Sequence, residues 1–308
     1  MFAPALDMQA DITIAHDLPM LPVACEAAAR CGGKVVYDSH ELFPEREISV
    51  FERRMWRRLE EKFIHRADLV IITNPSAVQV LKERYGLAEV LIVENREWLP
   101  ATLPPREKLF HRAFGLPQEA RVLLYQGGLS AGRNLDRMVD AMAHVATPDL
   151  HLVVLGNGEM KEALKRRARG RANVHFHDAV AQGELLRFSM AADAGVIPYQ
   201  PRCLNQKLCT PNKLYEFIVA GLPIAATDLP ELHRLIGGHG LGVLGDTGDA
   251  RRFAALIDAL FAPATFEAAR KAVANARPML SWQQQEAIYA QRIGALLDGE
   301  VDSARATA

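Results

Sequence analysis

Lys213 and Glu216 stand three residues apart in Thr210-Pro211-Asn212-Lys213-Leu214-Tyr215-Glu216-Phe217. On a helix that spacing places a cation and a carboxylate on one face close to the N-terminus. Unpaired N–H groups and the helix dipole favour an anion there. Such an end suits a nucleotide: the cation for phosphate, the carboxylate for ribose hydroxyls. A surface ion pair has the same spacing, and spacing alone does not separate the two. A second cation, Arg133, closes the run Gln126-Gly127-Gly128-Leu129-Ser130-Ala131-Gly132-Arg133. Glycines let backbone N–H groups approach an anion, and arginine offers a planar, two-pronged donor. Strand–turn–helix loops also use glycine for geometry alone; paired with Lys213, Arg133 would face one diphosphate. His40, in Tyr37-Asp38-Ser39-His40-Glu41, follows a strand at its C-terminal end, where open α/β sheets bind ligands. A loop histidine held by Asp38 or Glu41 is the structural alternative. His16 and Asp17 end the preceding strand in the same way. His175 and His177 share one face of a strand, but two histidines at that spacing are weak evidence for a metal set.

These residues need elements to hold them. Leu214, Phe217 and Ile218 recur at helical spacing, Gly221 suits a left-handed C-cap, and Pro223 ends the helix. Ile224-Ala225-Ala226-Thr227 then reads as a buried parallel strand. Before this unit, strands are expected at Ile12–His16, Lys34–Asp38, Leu69–Thr73 and Val90–Asn95, with helices over Pro19–Arg30, Phe51–Arg66 and Ser76–Tyr85. The proline-rich stretch 97–107 reads as a linker. A second alternating series begins at Arg121–Tyr125 and continues through His151–Leu155, Val174–His177 and Gly195–Pro198, with helices at Leu135–Val145 and Met160–Arg169. Alternation of this kind predicts parallel sheets flanked by helices. The expected division is 1–105, 106–280, and a closing helix with tail over 281–308.

Pro211-Asn212-Lys213-Leu214-Tyr215-Glu216-Phe217, Ala220-Gly221-Leu222-Pro223 and Asp228-Leu229-Pro230-Glu231 together resemble the donor-site signature of family 4 glycosyltransferases. The resemblance implies an α/β GT-B fold, two Rossmann-like domains facing a cleft, with the closing helix crossing back to the first. It implies a retaining, metal-independent transfer from a UDP- or GDP-sugar to a glycan or lipid-linked acceptor. Glu216 would grip the ribose, Arg133 and Lys213 the diphosphate, with Gly127, Gly128 and Leu214 beside them, and His40 the transferred sugar or acceptor. The backbone from His177 to Val180 would meet the base. Gly156-Asn157-Gly158-Glu159 resembles a family turn. Three departures stand out. Gly128 occupies the place where many members carry arginine. Leu208 stands where a carboxylate for the donor sugar is expected, and Asn205 is the substitute. No glycine-rich loop precedes Ile12, so the first domain reads as incomplete by one or two βα units. A donor-binding partner subunit without catalysis and an epimerase of the same fold are the rival readings.

Composition narrows the field further. At 308 residues with 49% hydrophobic and 24% charged residues, the chain suits two soluble domains. A net charge of −1 argues against a nucleic-acid partner. No apolar run approaches the ~20 residues of a membrane span, and the four cysteines fit neither a disulfide framework nor a zinc pattern. No Asp-x-Asp occurs, which speaks against the metal-dependent glycosyltransferase fold. The cytoplasm is the expected location. The helix over 51–66, with Arg53, Arg54, Arg57, Arg58, Lys62 and Arg66 among apolar residues, offers peripheral contact with the inner face of a membrane, against the plainer reading of a helix packed on its sheet.

Overall fold

The computed structural model describes residues 9–298. Contacts divide the described residues into two units, the first built from 9–95, 203–210 and 283–298, the second from 96–202 and 211–282.

The first unit holds a parallel sheet ordered β1-β2-β3-β4, with β1 Ile12–His16, β2 Lys34–Ser39, β3 Leu69–Ile72 and β4 Leu91–Ile92. β3 is buried along its whole length, as a continuous apolar run demands. The crossover helices are Leu21–Cys31, Val50–Ile64 and Pro75–Tyr85. Gly32 at φ 75° and Gly86 at φ 64° end the first and third with the left-handed cap glycine tolerates. Ser49 and Glu52 form a reciprocal capping box at the start of the second. Leu18, Tyr37, Ile64, Ile72 and Leu81 fill the core. Glu60 is buried among them, accepting from the Tyr37 hydroxyl at 2.9 Å and the Tyr85 hydroxyl at 2.6 Å. Burial pushes its carboxyl above the usual range despite both donors.

The basic helix is only partly a free cationic face. Arg57 and Arg84 each reach Glu45 Oε1 at 2.7 Å, and Arg66 donates to the Cys25 carbonyl. Val50, Phe51 and Met55 remain exposed.

The second unit carries six parallel strands ordered β10-β9-β8-β5-β6-β7: β5 Arg121–Gln126, β6 Leu150–Leu155, β7 Val174–His177, β8 Ala194–Ile197, β9 Ile224–Thr227 and β10 Gly242–Gly245. β8 and β9 are buried throughout. The helix Asn212–Ala220 packs so tightly on β8 that a Cβ at Gly195 would lie 2.4 Å from the Phe217 ring.

The structure places the division between the units ten residues earlier than the expected 105/106. Arg96 donates to the Met279 carbonyl and Trp282 N–H to the Glu97 carbonyl, tying 96–105 into the second unit. Cys203–Thr210 likewise leaves the expected second domain: Leu208 packs on the first unit's core, and Asn205 bonds to residues 41 and 42. The last helix, Trp282–Leu297, bonds to the first unit through Gln285 with Glu94 N–H at 3.0 Å and Arg292 with Glu89 at 2.7 Å. The expected strand over Val90–Asn95 shrinks to Leu91–Ile92, and the short helices Leu109–Phe114 and Leu204–Leu208 are too brief for a periodic pattern. The tail expected from Val301 lies outside the described residues.

Candidate functional site

In the second unit, the helix Asn212–Ala220 begins with Pro211 as N-cap and ends at Gly221 with φ 79°. Proline has no side-chain acceptor, so no side chain caps the first turn. Lys213 is 6% exposed, its Nζ 3.9 Å from the Tyr125 ring centroid and 5.1 Å from that of Tyr199. The Arg133 guanidinium lies 4.8 Å from the Tyr199 ring and donates to its hydroxyl. One aromatic ring thus stands against both cations. Gly127 sits against the same ammonium: at φ 117°, a Cβ there would come 3.3 Å from Lys213 Nζ.

Glu216 completes this group. Its Oε2 accepts from Gln126 Nε2 at 2.5 Å, and Gln126 Oε1 accepts from Ser189 Oγ at 2.7 Å. Burial raises the Glu216 carboxyl above its usual range, and the Gln126 bond and Lys213 charge offset part of that rise. The Gly127–Leu129 segment is braced from behind. Leu129 N–H bonds the Asn157 carbonyl at 2.9 Å and Ala131 N–H the Glu159 carboxylate at 3.1 Å. A Cβ at Gly156 would fall 2.0 Å from the Gly127 oxygen, and one at Gly158 2.4 Å from the Leu129 oxygen. The Gly-Asn-Gly turn therefore serves to let two loops touch. Gly127 and Gly128 are exposed, so their backbone can be approached.

The other expected residues lie as follows. Leu214 is wholly buried and its N–H bonds the Pro211 carbonyl, because an apolar side chain at that helical position faces the core. Asn205 belongs to the first unit, where Oδ1 accepts from Leu42 N–H at 3.0 Å and Nδ2 donates to Glu41 at 2.6 Å. Both ends of that amide are engaged. The His177 ring packs among Phe110, Phe114 and Phe188, and its carbonyl accepts from Gly156 N–H; Val180 is half-buried. His175 lies 3.1 Å from His151 and stacks on Phe114, and burial holds both imidazoles below their usual range. In the first unit, His40 Nε2 lies 3.0 Å from His16 Nδ1 and 3.4 Å from Asp38, while its backbone N–H bonds the Asp17 carboxylate at 3.1 Å.

Tyr199 and Gln126 are the residues missed. Both follow or end strands at their C-terminal ends, the same position that singled out His40, so the signal was present but carried by side chains of unremarkable type.

Two six- and four-stranded parallel units of this kind define the GT-B class of glycosyltransferase folds, and solved structures of that class match nearly the whole chain. HepE from Anabaena, solved in complex with UDP, superposes with a TM-score of 0.76 at 18% identity over 96% of this chain and 80% of its own. Sucrose-phosphate synthase from Thermosynechococcus elongatus gives 0.73 at 17% over 95% and 76%. Residues 120–262 match the family described as Glycosyl transferases group 1, and residues 2–96 the Glycosyl transferase 4-like domain. Both matched models are glycosyltransferase models, one over each of these two stretches of the chain. Among curated relatives, a glycogen synthase from Anaeromyxobacter sp. is 32% identical over 151 residues, 41% of this chain and 30% of that protein. A putative teichuronic acid biosynthesis glycosyltransferase, TuaH, from Bacillus subtilis is 26% identical over 221 residues, 66% of this chain and 52% of that protein. The matches thus span about a third and about half of those relatives' lengths.

Proposed function

We propose that the chain transfers a glycosyl group from a UDP-sugar to a glycan or lipid-linked acceptor, retaining the anomeric configuration and using its own cations in place of a metal. The observation that carries this is the grouping of Arg133, Lys213 and Glu216 around Tyr199, Gln126 and the exposed Gly127–Gly128 backbone. As the bond from sugar to diphosphate breaks, negative charge grows on the leaving oxygens. Two cations held in advance against aromatic rings stabilise that charge without reorganising. Glu216, pre-oriented by Gln126, accepts from ribose hydroxyls. The complex of HepE with UDP supports uracil as the base. His40 contacts the transferred sugar or the acceptor, a role that rests on its resemblance to the family histidine. Exposed Val50, Phe51 and Met55 beside Arg54 and Arg58 give a lipid-linked acceptor a membrane-facing helix end.

Titration with UDP-glucose and GDP-mannose, run beside a hydrolysis and transfer assay, tests the reading. UDP-sugar binding with turnover supports it, and failure to bind either donor overturns it. A second reading is a donor-binding subunit without catalysis. Leu208, packed on the first unit's core in place of a sugar-holding carboxylate, favours it. Binding without turnover would select that alternative.

A further inference from the structure

The first unit gathers three metal-ligating atoms that the transfer reaction does not use together. His16 and Asp38 are register partners on the parallel strands β1 and β2, and His40 lies two residues beyond Asp38. The resulting triangle has edges of 3.0 Å between His16 Nδ1 and His40 Nε2, 3.1 Å between His16 Nδ1 and Asp38 Oδ2, and 3.4 Å between His40 Nε2 and Asp38 Oδ2. Hydrogen bonding cannot satisfy all three edges. A proton on one ring nitrogen serves one edge well and leaves the other imidazole's lone pair facing a carboxylate. Protons on both rings serve the carboxylate twice but set two N–H groups against each other. A divalent cation in the middle satisfies every edge at once. Ligand atoms about 2.0–2.1 Å from a tetrahedral zinc ion stand roughly 3.3 Å from one another, close to the edges observed.

The surroundings suit a reversible, open site. The Asp38 side chain is 19% exposed, whereas those of His16 and His40 are 63% and 43% exposed, so a fourth ligand can approach from solvent. The triad's backbone is fixed on both sides: Asp17 N–H bonds the Asp38 carbonyl at 2.9 Å, and the Asp17 carboxylate accepts from His40 N–H. Asp17 adopts φ 62° to make both contacts.

We propose that His16, Asp38 and His40 form a three-ligand site for a transition-metal dication, zinc foremost, with its fourth position open. Two imidazoles and one carboxylate are the donor set of such sites, and imidazole favours zinc, copper and nickel over magnesium. Zinc bound there takes the Nε2 lone pair of His40. Resting on the proposed role of His40 in transfer, the ion then acts as an inhibitor that chelation removes.

Tag-free wild-type chain titrated with Zn²⁺ at neutral pH, without sugar nucleotide, should bind one ion with micromolar or tighter affinity. Co²⁺ in its place should give the intense visible bands of a four-coordinate centre, a readout needing no variant. His16→Ala, Asp38→Asn and His40→Ala should each weaken binding at least tenfold, while Lys213→Ala leaves it unchanged. Zinc should depress transfer by wild type, reversibly with EDTA, and spare His16→Ala. Absence of stoichiometric binding at tens of micromolar zinc, a six-coordinate cobalt spectrum, or equal affinity in the three ligand variants would overturn the site. Zinc binding with no effect on transfer would overturn the inhibition. A chain that binds zinc but no UDP-sugar would leave the metal site standing and sink the donor reading instead.

Discussion

At the scale of single residues, the proposed donor group relies on charges placed before the ligand arrives. Lys213 and Arg133 both stand against the Tyr199 ring, which fixes the two cations before a diphosphate reaches them. Lys213→Ala or Arg133→Ala should lower turnover by about 10²–10³, as removal of one pre-placed donor to a developing anion does, with the circular dichroism spectrum unchanged. Glu216 behaves differently. Its carboxyl is held above the ordinary range by burial. An acid whose folded pKa is raised favours folding below its unfolded pKa, and that contribution is lost as pH rises through the folded value. The ligand-free Glu216→Gln variant should therefore gain stability over wild type as pH climbs past the usual carboxylate range. Its affinity for UDP should fall, since an amide is a poorer acceptor for ribose hydroxyls. Thermal melts from pH 4 to 8 and a UDP titration would check both; parallel melting curves across that range would contradict the first. Glu60 shows the other use of a buried acid. Glu60→Leu leaves the Tyr37 and Tyr85 hydroxyls without their acceptor and should destabilise the fold by about 1–3 kcal/mol for each orphaned group, measured by urea unfolding against a milder Glu60→Gln.

At the scale of elements, glycine governs how closely the pieces of the proposed donor site approach. Gly156, at φ 153°, sits where a Cβ would meet the Gly127 oxygen at 2.0 Å. Gly156→Ala should push the Gly127–Gly128 segment outward and weaken UDP binding at least about tenfold, roughly 1.4 kcal/mol, with chemistry per bound donor less affected. Gly195 on β8 plays the corresponding part for the helix bearing Lys213 and Glu216, since its missing side chain makes room for Phe217. Gly195→Ala should cost about 1–3 kcal/mol through overpacking, read from the shift in urea midpoint. Helices with a strong apolar stripe and cap, such as Val50–Ile64 with Ser49 and Glu52, are legible in sequence because those signals are local. Leu204–Leu208 is not, because five residues leave no period to detect, and its placement comes from Asn205 and Leu208 contacting the first unit.

At the scale of the whole molecule, the proposed donor-site residues lie in the second unit, and the His16–Asp38–His40 group lies in the first. UDP at a hundredfold excess over its Kd should stabilise the chain by about 2.7 kcal/mol, and hydrogen exchange should slow first around 127–133 and 212–221. Equal protection spread over the first unit would argue against that assignment. The sequence by itself determined the alternating strand–helix order and carried the resemblance to a donor-site signature from which Arg133, Lys213 and Glu216 are proposed, because those depend on local periodicity, caps and residue chemistry. It also marked Gly156 and Gly158 as turn residues. Only the tertiary structure decided that Tyr199 stands against both Arg133 and Lys213, that Gln126 orients Glu216, that Asn205 is spent on Glu41 and Leu42, and that His16 faces Asp38 and His40. Each of these pairs residues from different strands or loops, and the register and packing that join them are long-range properties with no signature in the chain's local pattern.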